Sequence, residues 1–316
     1  MTKLKEELNS FGKKREAIFF VIDFEGKNHY ISPIKELDKD IEFSLDYKKD
    51  IYKNKKIEYT YHPVSYPKYQ KAFTKVQEEI KKGNTYLINL TFPSKLDIEY
   101  DLKEIYDYSD AKFKLYFKDK FVCFTPERFV EIQDDKIYTY PMKGTIEATI
   151  KDAEKKILED KKEMAEHVMV VDLLRNDLSM VSSCVRVEKF RYIEKIKAGE
   201  RELLQVSSKI KGELDSHWHD RLGDIITTML PAGSITGAPK KSTTEIIKKV
   251  EDYDRGFFSG VFGVYDGESL DSAVMIRFVE KTKDGLVYKS GGGITIDSIC
   301  ESEYLEMCEK VYVPFF

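Results

Sequence analysis

The predicted strands of this chain follow one another in pairs, and this order limits the folds that the chain can adopt. In the segment TYLINLTF, apolar Tyr86, Ile88, Leu90 and Phe92 recur at every second position, as one face of a strand requires. Further strands are predicted at 112–118, 121–124, 128–133, 136–140, 184–192, 257–265, 273–280 and 285–290. Because helices do not separate most of these strands, we expect an α+β fold with antiparallel sheets rather than parallel βαβ units.

The predicted helices lie between and after these strands. Apolar residues recur at spacings of four, three and four from Tyr69 to Ile80, with Pro67 near the start and Gly83 just past the end. Other helices are predicted at 151–177, 218–229, 240–250 and 299–311. Short apolar stretches between polar turns predict a β-rich N-terminal segment, 1–58, packed on a main domain, 59–316.

Composition restricts the partners of the chain. A net charge of −4 gives no basic excess, so neither a nucleic-acid nor an anionic-membrane partner is expected. The first apolar run, 17–22, is too short for a signal core, and we expect a cytoplasmic protein. No C-x-x-C pair occurs, which favours reduced structural thiols over a zinc site or a disulfide framework.

Two carboxylate pairs have the spacing of helix neighbours. Glu163 and Glu166 are three residues apart, and Glu303 and Glu306 repeat that spacing on the last predicted helix. If the two helices bring the pairs together, the four charges repel one another without a cation, and Mg²⁺ is the natural occupant. Solvated faces of two glutamate-rich helices are the alternative.

Lys143 and a run of three glycines stand at strand ends. Lys143 lies in IYTYPMKGTIEA where a strand runs into a turn, and an exposed surface lysine is the simpler interpretation. Gly291, Gly292 and Gly293 follow a strand and precede the helix that carries Glu303. Their backbone N–H groups could hold a carboxylate, and a flexible turn is the alternative.

Three other features have weaker functional meaning. Arg277 lies within an apolar strand, where a carboxylate ligand or a structural ion pair would satisfy it. The segment LPAGSITGAPKKS lacks the Gly-Lys-Ser/Thr of a phosphate loop, so we reject a nucleotide triphosphatase. His217 and His219 form a weak metal-like pattern, and a polar loop entering a helix explains them better.

The order of the motifs is more specific than any one of them. From about residue 60 onward the chain resembles the chorismate-utilising enzymes in TPERF, PMKGT, AEHVMVVDLLRNDL, GSITGAPK, SAVMIR and GGGITIDS…ESEYLEMCEK. This resemblance implies two packed antiparallel sheets flanked by helices, a four-layer α/β/β/α fold like that of anthranilate synthase component I. It also implies a deep cleft that binds chorismate and Mg²⁺.

Lys143 separates the members of this family. Aminodeoxychorismate synthases carry a lysine at its position, anthranilate synthases typically have alanine, and isochorismate-type members use a lysine at the position of Leu87. The resemblance therefore implies component I of aminodeoxychorismate synthase, which makes 4-amino-4-deoxychorismate for para-aminobenzoate and folate from chorismate and ammonia. A glutamine amidotransferase subunit would supply the ammonia. Anthranilate synthase component I, isochorismate synthase and an inactive chorismate-binding subunit remain alternatives.

The resemblance also assigns roles to individual residues. Lys143 would add to ring carbon 2 as a free amine. Because the ordinary lysine pKa is ~10.4, burial or nearby positive charge must lower the pKa of Lys143 for the free amine to form. Glu127 in TPERF would be the general acid, with a pKa raised by burial. The inner Mg²⁺ ligands would be Glu166 and Glu306, with Glu163 and Glu303 behind them. The implied substrate-binding residues are Gly144, Thr145, Arg277, Gly291, Gly292, Gly293 and Lys310.

The chain departs from its family at three places. Gln205 stands where many relatives have a histidine, which fits a product that keeps its enolpyruvyl group. Val264 follows Gly263 where relatives have a tyrosine, and Tyr265 comes one residue later. The segment before residue 60 is shorter than usual, so we expect no tryptophan pocket and no feedback control through one.

Overall fold

Strands dominate the regular structure, and helices cover them. The computed structural model describes residues 1–46, 58–198 and 201–315. Its helices are α1 (Thr2–Lys13), α2 (Tyr66–Lys81), α3 (Leu102–Asp107), α4 (Ala153–Glu159), α5 (Lys161–Ser179), α6 (Leu222–Met229), α7 (Lys240–Val250) and α8 (Cys300–Glu309). Its strands are β1 (Ile18–Ile22), β2 (His29–Pro33), β3 (Ile41–Ser44), β4 (Thr60–His62), β5 (Leu87–Asp97), β6 (Phe113–Phe117), β7 (Phe121–Thr125), β8 (Arg128–Gln133), β9 (Lys136–Thr139), β10 (Met142–Glu147), β11 (Ser183–Ala198), β12 (Arg201–Glu213), β13 (Gly237–Ala238), β14 (Val261–Tyr265), β15 (Leu270–Val274), β16 (Phe278–Thr282) and β17 (Gly285–Ile294).

The strands form two antiparallel sheets. The first sheet has the order β10-β12-β9-β8-β15-β14-β1-β2, with β11 paired to β12. The second has the order β13-β5-β17-β16-β7-β6-β3, with β4 paired to β5. The predicted α+β fold of two antiparallel sheets is confirmed.

Alternation along β1 explains why the two sheets pack face to face. Phe19 and Val21 enter an apolar cluster with Phe121 and Phe278 of the second sheet, and the last two rings stack with centroids 4.7 Å apart. The other face of β1 packs with α1 and α6, while the outward side chains of β5 pack with α2 and α7. This arrangement gives the four layers that the resemblance implied.

The N-terminal residues are built into this architecture. In α1, Asn9 accepts a hydrogen bond from the backbone N–H of Gly223 at 2.7 Å, at the start of α6. A Cβ on Gly223 would lie 2.1 Å from the carbonyl oxygen of Lys5, so only glycine allows this helix contact. Residues 1–46 thus contain a helix besides β1 to β3, and the division at residue 58 stays a prediction, since 47–57 lie outside the described residues. Among the described helices, none is both long and apolar enough to span a bilayer.

Two predicted elements are each divided in the structure. The predicted helix 151–177 breaks at Asp160, whose carboxylate accepts the backbone N–H of Glu163 at 2.9 Å and begins α5. The predicted strand 273–280 breaks at Arg277, whose backbone is left-handed at φ 50°. Because of that turn, β15 belongs to the first sheet and β16 to the second, so placing Arg277 inside one strand was wrong.

The glycine run lies inside a strand. We placed Gly291 to Gly293 after a strand that ended at residue 290, but β17 continues to Ile294. Gly291 pairs with Thr91 of β5, and Gly293 pairs with Asn89. The turn alternative for these glycines is therefore wrong, and they belong to the middle of the second sheet.

Candidate active site

Lys143 lies at an irregularity in the first sheet. The register between β10 and β12 shifts between Met142 and Thr145, and Gly144 between them has a φ of +85°. The Nζ of Lys143 lies 3.6 Å from Oε2 of Glu166. A Cβ placed on Gly293 would lie 3.8 Å from the same Nζ. Lys143 therefore reaches across to the glycine strand of the second sheet and is not a solvated surface lysine.

The four predicted carboxylates all act on the charge of Lys162. Glu163 and Glu166 lie on α5, and Glu303 and Glu306 lie on α8. Burial alone would lower the pKa of Lys162, but all four carboxylates together raise it, with Glu166 acting most strongly. The two helices thus bring both pairs to the same region of the molecule.

Gly292 lies where α8 contacts β17. A Cβ on Gly292 would lie 3.5 Å from Oε2 of Glu303 and 3.8 Å from Oε1 of Glu306. Glu303 also accepts a hydrogen bond from Ser298 at 2.8 Å. Lys310 makes an ion pair with Glu306 at 2.7 Å and donates to the carbonyl oxygen of Gly291 at 3.1 Å. These contacts connect the second acid pair to the glycine run and to Lys310.

The electrostatics of the acid cluster are uneven. Burial, and then the neighbouring Glu166, raises the pKa of Glu163. Burial also raises the pKa of Glu303, with Glu306 adding to the effect. Burial would raise the pKa of Glu306 as well, but Lys310 outweighs it and holds that pKa below its ordinary value. The ionised forms of Glu163 and Glu303 are thus disfavoured unless more positive charge lies nearby.

The donor set of this cluster suits a hard cation. Carboxylate oxygens are ligands that Mg²⁺ accepts, and burial, with a smaller effect of the neighbouring carboxylates, raises the pKa of Glu163 and of Glu303. Over residues 1–46, 58–198 and 201–315, however, no three acidic, histidine or cysteine side chains lie close enough together to enclose a metal ion. The chemistry of the residues fits the ion, and the magnesium site stays a proposal.

Glu127, the predicted general acid, lies directly before β8. Its backbone N–H donates to Oγ1 of Thr125 at 3.0 Å, and its Oε1 accepts a short hydrogen bond from Ser234. Burial raises the pKa of Glu127, although the hydrogen bond from Ser234 and the charges of Lys143 and Lys310 oppose the shift. The direction is the one that a general acid needs.

Thr145 and Arg277 are two further predicted substrate contacts. Thr145 pairs with Gln205 of β12, which places the glutamine beside Lys143 on the neighbouring strand. The guanidinium of Arg277 lies over the ring of Tyr312, 5.7 Å from its centroid, and makes no ion pair with a described residue. Arg277 is thus a charge without a protein counter-ion in the described part of the chain, so the ion-pair alternative has no support.

Tyr265 does not line the cleft. Its hydroxyl donates to the carbonyl oxygen of Gly267 at 2.9 Å and contacts Nδ1 of His219 at 2.7 Å. Its ring packs against Trp218 in the cluster that includes the outer helices. His219 is therefore a buried structural group in the turn that enters α6, rather than part of a polar loop.

The sequence patterns did not predict a role for several residues near the site. His167 is fully buried beside Glu166, and its Nε2 contacts Oγ of Ser208 at 2.7 Å. Lys240 makes a buried ion pair with Asp177 at 2.9 Å. The signal for Asp177 was present, because it shares the apolar face of α5 with Leu174 and Leu178, and an acid on such a face needs a partner.

Comparison with known proteins identifies the family. Residues 11–315 match the family model for the chorismate binding enzyme. The chain belongs to the chorismate binding enzyme family. As a member of that family, it is a chorismate-utilising enzyme, and the predicted family resemblance is confirmed.

This chorismate binding enzyme is similar in sequence to proteins of the same family and in fold to a solved structure. It is 46% identical over 313 residues to an uncharacterised PabA-like protein of Haemophilus influenzae, covering 98% of this chain and 95% of that one. It is 31% identical to aminodeoxychorismate synthase component 1 of Bacillus subtilis over 77% of this chain and 54% of that protein. The crystal structure of anthranilate synthase component I from Streptococcus pneumoniae superposes with a TM-score of 0.64 and 25% identity, covering 81% of this chain and 58% of that one.

Proposed function

We propose that this chorismate binding enzyme is component I of an aminodeoxychorismate synthase, converting chorismate and ammonia to 4-amino-4-deoxychorismate. The observation that carries the proposal is the position of Lys143 of the first sheet, whose Nζ lies 3.8 Å from the position of a Cβ on Gly293 in the second sheet. Leu87 lies at the same place, with its Cδ1 3.3 Å from the position of a Cβ on Gly293. An amine therefore stands at the position typical of the aminating members, and an apolar side chain stands at the position where isochorismate-type members carry a lysine.

The first step is a displacement by Lys143. Its Nζ forms a bond to ring carbon 2, the two ring double bonds shift, and the bond between carbon 4 and its hydroxyl breaks. The departing oxygen takes a proton from Glu127 and leaves as water, which is why the carboxyl must be protonated beforehand. The raised pKa of Glu127 supports this role.

The second step restores the lysine. Ammonia forms a bond to carbon 4, the double bonds return, and the bond between carbon 2 and the lysine nitrogen breaks. The new ammonium group at carbon 4 loses one proton, which restores the protonated carboxyl of Glu127, and Lys143 is released for the next turnover. Two displacements place the nitrogen on the face that the hydroxyl left, and no residue beyond Lys143 is needed as nucleophile.

Charged groups around the cleft would hold the two carboxylates of chorismate. Arg277, which has no described protein counter-ion, would take the enolpyruvyl carboxylate, and Lys310 with the glycine run would border the rest. Mg²⁺ held by Glu166 and Glu306, with Glu163 and Glu303 behind them, would neutralise and orient the ring carboxylate. A separate glutamine amidotransferase subunit would supply ammonia in the cell, and the cytoplasm remains the predicted location.

Product identification tests the assignment. The full chain is incubated with chorismate, Mg²⁺ and ammonium, and products are resolved by liquid chromatography and mass spectrometry. We expect 4-amino-4-deoxychorismate from the native protein, none above background from Lys143→Ala, and native rates from Lys155→Ala, which removes an exposed lysine of α4. Acid quenching should also show an adduct on Lys143 with the mass of chorismate less one water.

Other outcomes would contradict the proposal in different ways. Anthranilate or isochorismate as the product would reassign the chain within the family. Chorismate binding without turnover would make it an inactive subunit. Amination by Lys143→Ala at the native rate would remove the lysine from the mechanism.

A further inference from the structure

The segment GSITGAPK forms a rigid loop beside Glu127. It begins with the 3-10 turn Gly233–Ile235 and continues through the short strand β13 into α7. Ser234 in this turn is partly buried, and its hydroxyl donates to Oε1 of Glu127. The loop therefore places a hydroxyl on the general acid of the proposed reaction.

One side of the loop is fixed by a buried ion pair. Lys240, at the start of α7, donates to Asp177 of α5 at 2.9 Å and to the carbonyl oxygen of Met229 at 2.7 Å. Asp177 is only 4% exposed, and a Cβ on Gly233 would lie 2.7 Å from its Oδ2. The residue before Ser234 is thus held directly against a buried carboxylate.

The other side of the loop is fixed by the second sheet. Gly237 of β13 pairs with Ile88 of β5, and the backbone N–H of Asn89 donates to the carbonyl oxygen of Thr236 at 3.0 Å. Arg255, which is almost fully buried, donates to the carbonyl oxygen of Ile235 at 3.1 Å. With both sides fixed, the Ser234 hydroxyl has little freedom to follow any movement of Glu127.

We propose that Ser234 is a positioning residue, whose hydroxyl fixes the carboxyl of Glu127 so that its second oxygen delivers the proton to the departing hydroxyl. This inference rests on the proposed function and deepens it. Because Oε1 accepts the hydrogen bond, the acidic proton resides on Oε2. The serine therefore selects the oxygen that acts and the direction in which it points.

The charges that face Glu127 come from several elements. Lys143 of β10 and Lys310 after α8 both act on it, and the neighbouring Arg128 is engaged by Asp271 at 2.8 Å. Burial raises the pKa of Glu127, while the Ser234 hydrogen bond lowers it. Removing the serine hydroxyl should therefore raise the pKa of Glu127 further and also loosen its orientation.

The test compares Ser234→Ala with Ser234→Thr, which keeps a hydroxyl. Infrared difference titration of the full chain without substrate follows the protonated carboxyl band of Glu127, assigned by its absence in Glu127→Gln. Steady-state kinetics with chorismate, Mg²⁺ and ammonium give kcat, the KM for chorismate and their pH profiles.

We expect Ser234→Ala to titrate Glu127 at higher pH and to lose kcat about 10-fold or more, part of the roughly 10²- to 10⁴-fold that general acid catalysis supplies. Its KM for chorismate should change less than about twofold, and Ser234→Thr should recover most of both effects. A native titration of Glu127 in Ser234→Ala would overturn the inference, as would a loss confined to KM.

The infrared arm separates this inference from the proposed function. It needs no turnover, so it reports on the Ser234 hydrogen bond even if the native protein makes another product. If Ser234→Ala does not fold, Ser234→Cys, with a similar size and a weaker donor, replaces it, and an unchanged Glu127 titration there would refute the inference.

Discussion

Protonation of His167 should destabilise the fold in mild acid. The side chain is fully buried on α5, and its Nε2 contacts the hydroxyl of Ser208 at 2.7 Å. Arg191, itself 9% exposed, lies close enough that its charge also opposes a second cation. Burial first, and then Arg191, lower the pKa of His167 from its ordinary 6.5 to about 4.

The expected size follows from linkage between protonation and folding. The histidine is neutral in both states above pH 6.5, so it has no cost there. As the pH falls from 6.5 towards 4, the unfolded chain binds a proton that the folded protein resists, and stability declines across that window. A difference of about 2.5 in pKa, at 1.36 kcal/mol for each pKa unit, gives a loss of about 3 kcal/mol.

Urea unfolding at pH 7, 6, 5 and 4 measures this effect. Other groups titrate in the same range, so the test is the difference between the native protein and His167→Gln, which cannot be protonated. We expect the native protein to lose about 3 kcal/mol more than the variant between pH 7 and pH 4. His217→Gln, which removes an exposed histidine that makes no ion pair with a described residue, is the matched control. Parallel curves for the native protein and His167→Gln would refute the burial argument.

The remaining predictions concern the loop, its ion pair and the glycine run. Gly237→Ala should lower the free energy of unfolding, measured in urea, by more than about 3 kcal/mol, because its Cβ would lie 2.0 Å from a backbone oxygen of β5. Gly285→Ala is also at positive φ but has open space around it, so it should lower the free energy of unfolding by about 1 kcal/mol. Equal losses would contradict the steric argument. Lys240→Met should lower the free energy of unfolding by about 3–5 kcal/mol, because it leaves the buried carboxylate of Asp177 without its partner. The control Lys248→Met, at an exposed lysine, should lower it by less than about 1 kcal/mol. Similar values for the two variants would show that the buried pair contributes little to stability. Gly293→Ala should fold normally yet slow formation of the lysine adduct at least about 10-fold in quenched-flow mass spectrometry, because its Cβ would lie 3.8 Å from the attacking amine. Adduct formation at the native rate would show that the substrate binds at another place.

Local signals predicted the elements whose ends are determined locally. The apolar spacing from Tyr69 to Ile80, with Pro67 and Gly83 beside it, was enough for α2, which spans Tyr66–Lys81. The helix predicted at 240–250 coincides with α7. The three-residue spacing of the glutamates also placed each pair on one helix, because side chains three apart share a helix face.

Signals that depend on a partner strand were missed. The strand predicted at 184–192 is the first part of β11, which forms a long hairpin with β12, and the strand β12 was not predicted. Arg277 was placed inside a strand because the apolar residues on both sides of it form one continuous run in the sequence. Only the pairing of β15 with one sheet and of β16 with the other reveals the turn.

The same limit explains why the site could be proposed from sequence only through resemblance. Lys143 is held by the first sheet, and Gly293 and Leu87 by the second, so the space between them exists only when the sheets are packed. No periodicity within β10 or β17 records that distance. In the structure, a register shift at Gly144 sets the direction of the lysine, and a glycine in the second sheet leaves room for its amine. An amine that reacts with a ring must point towards it and must have space around it. The first sheet provides the direction and the second sheet provides the space. For this reason the order of motifs along the chain was more informative than any single motif.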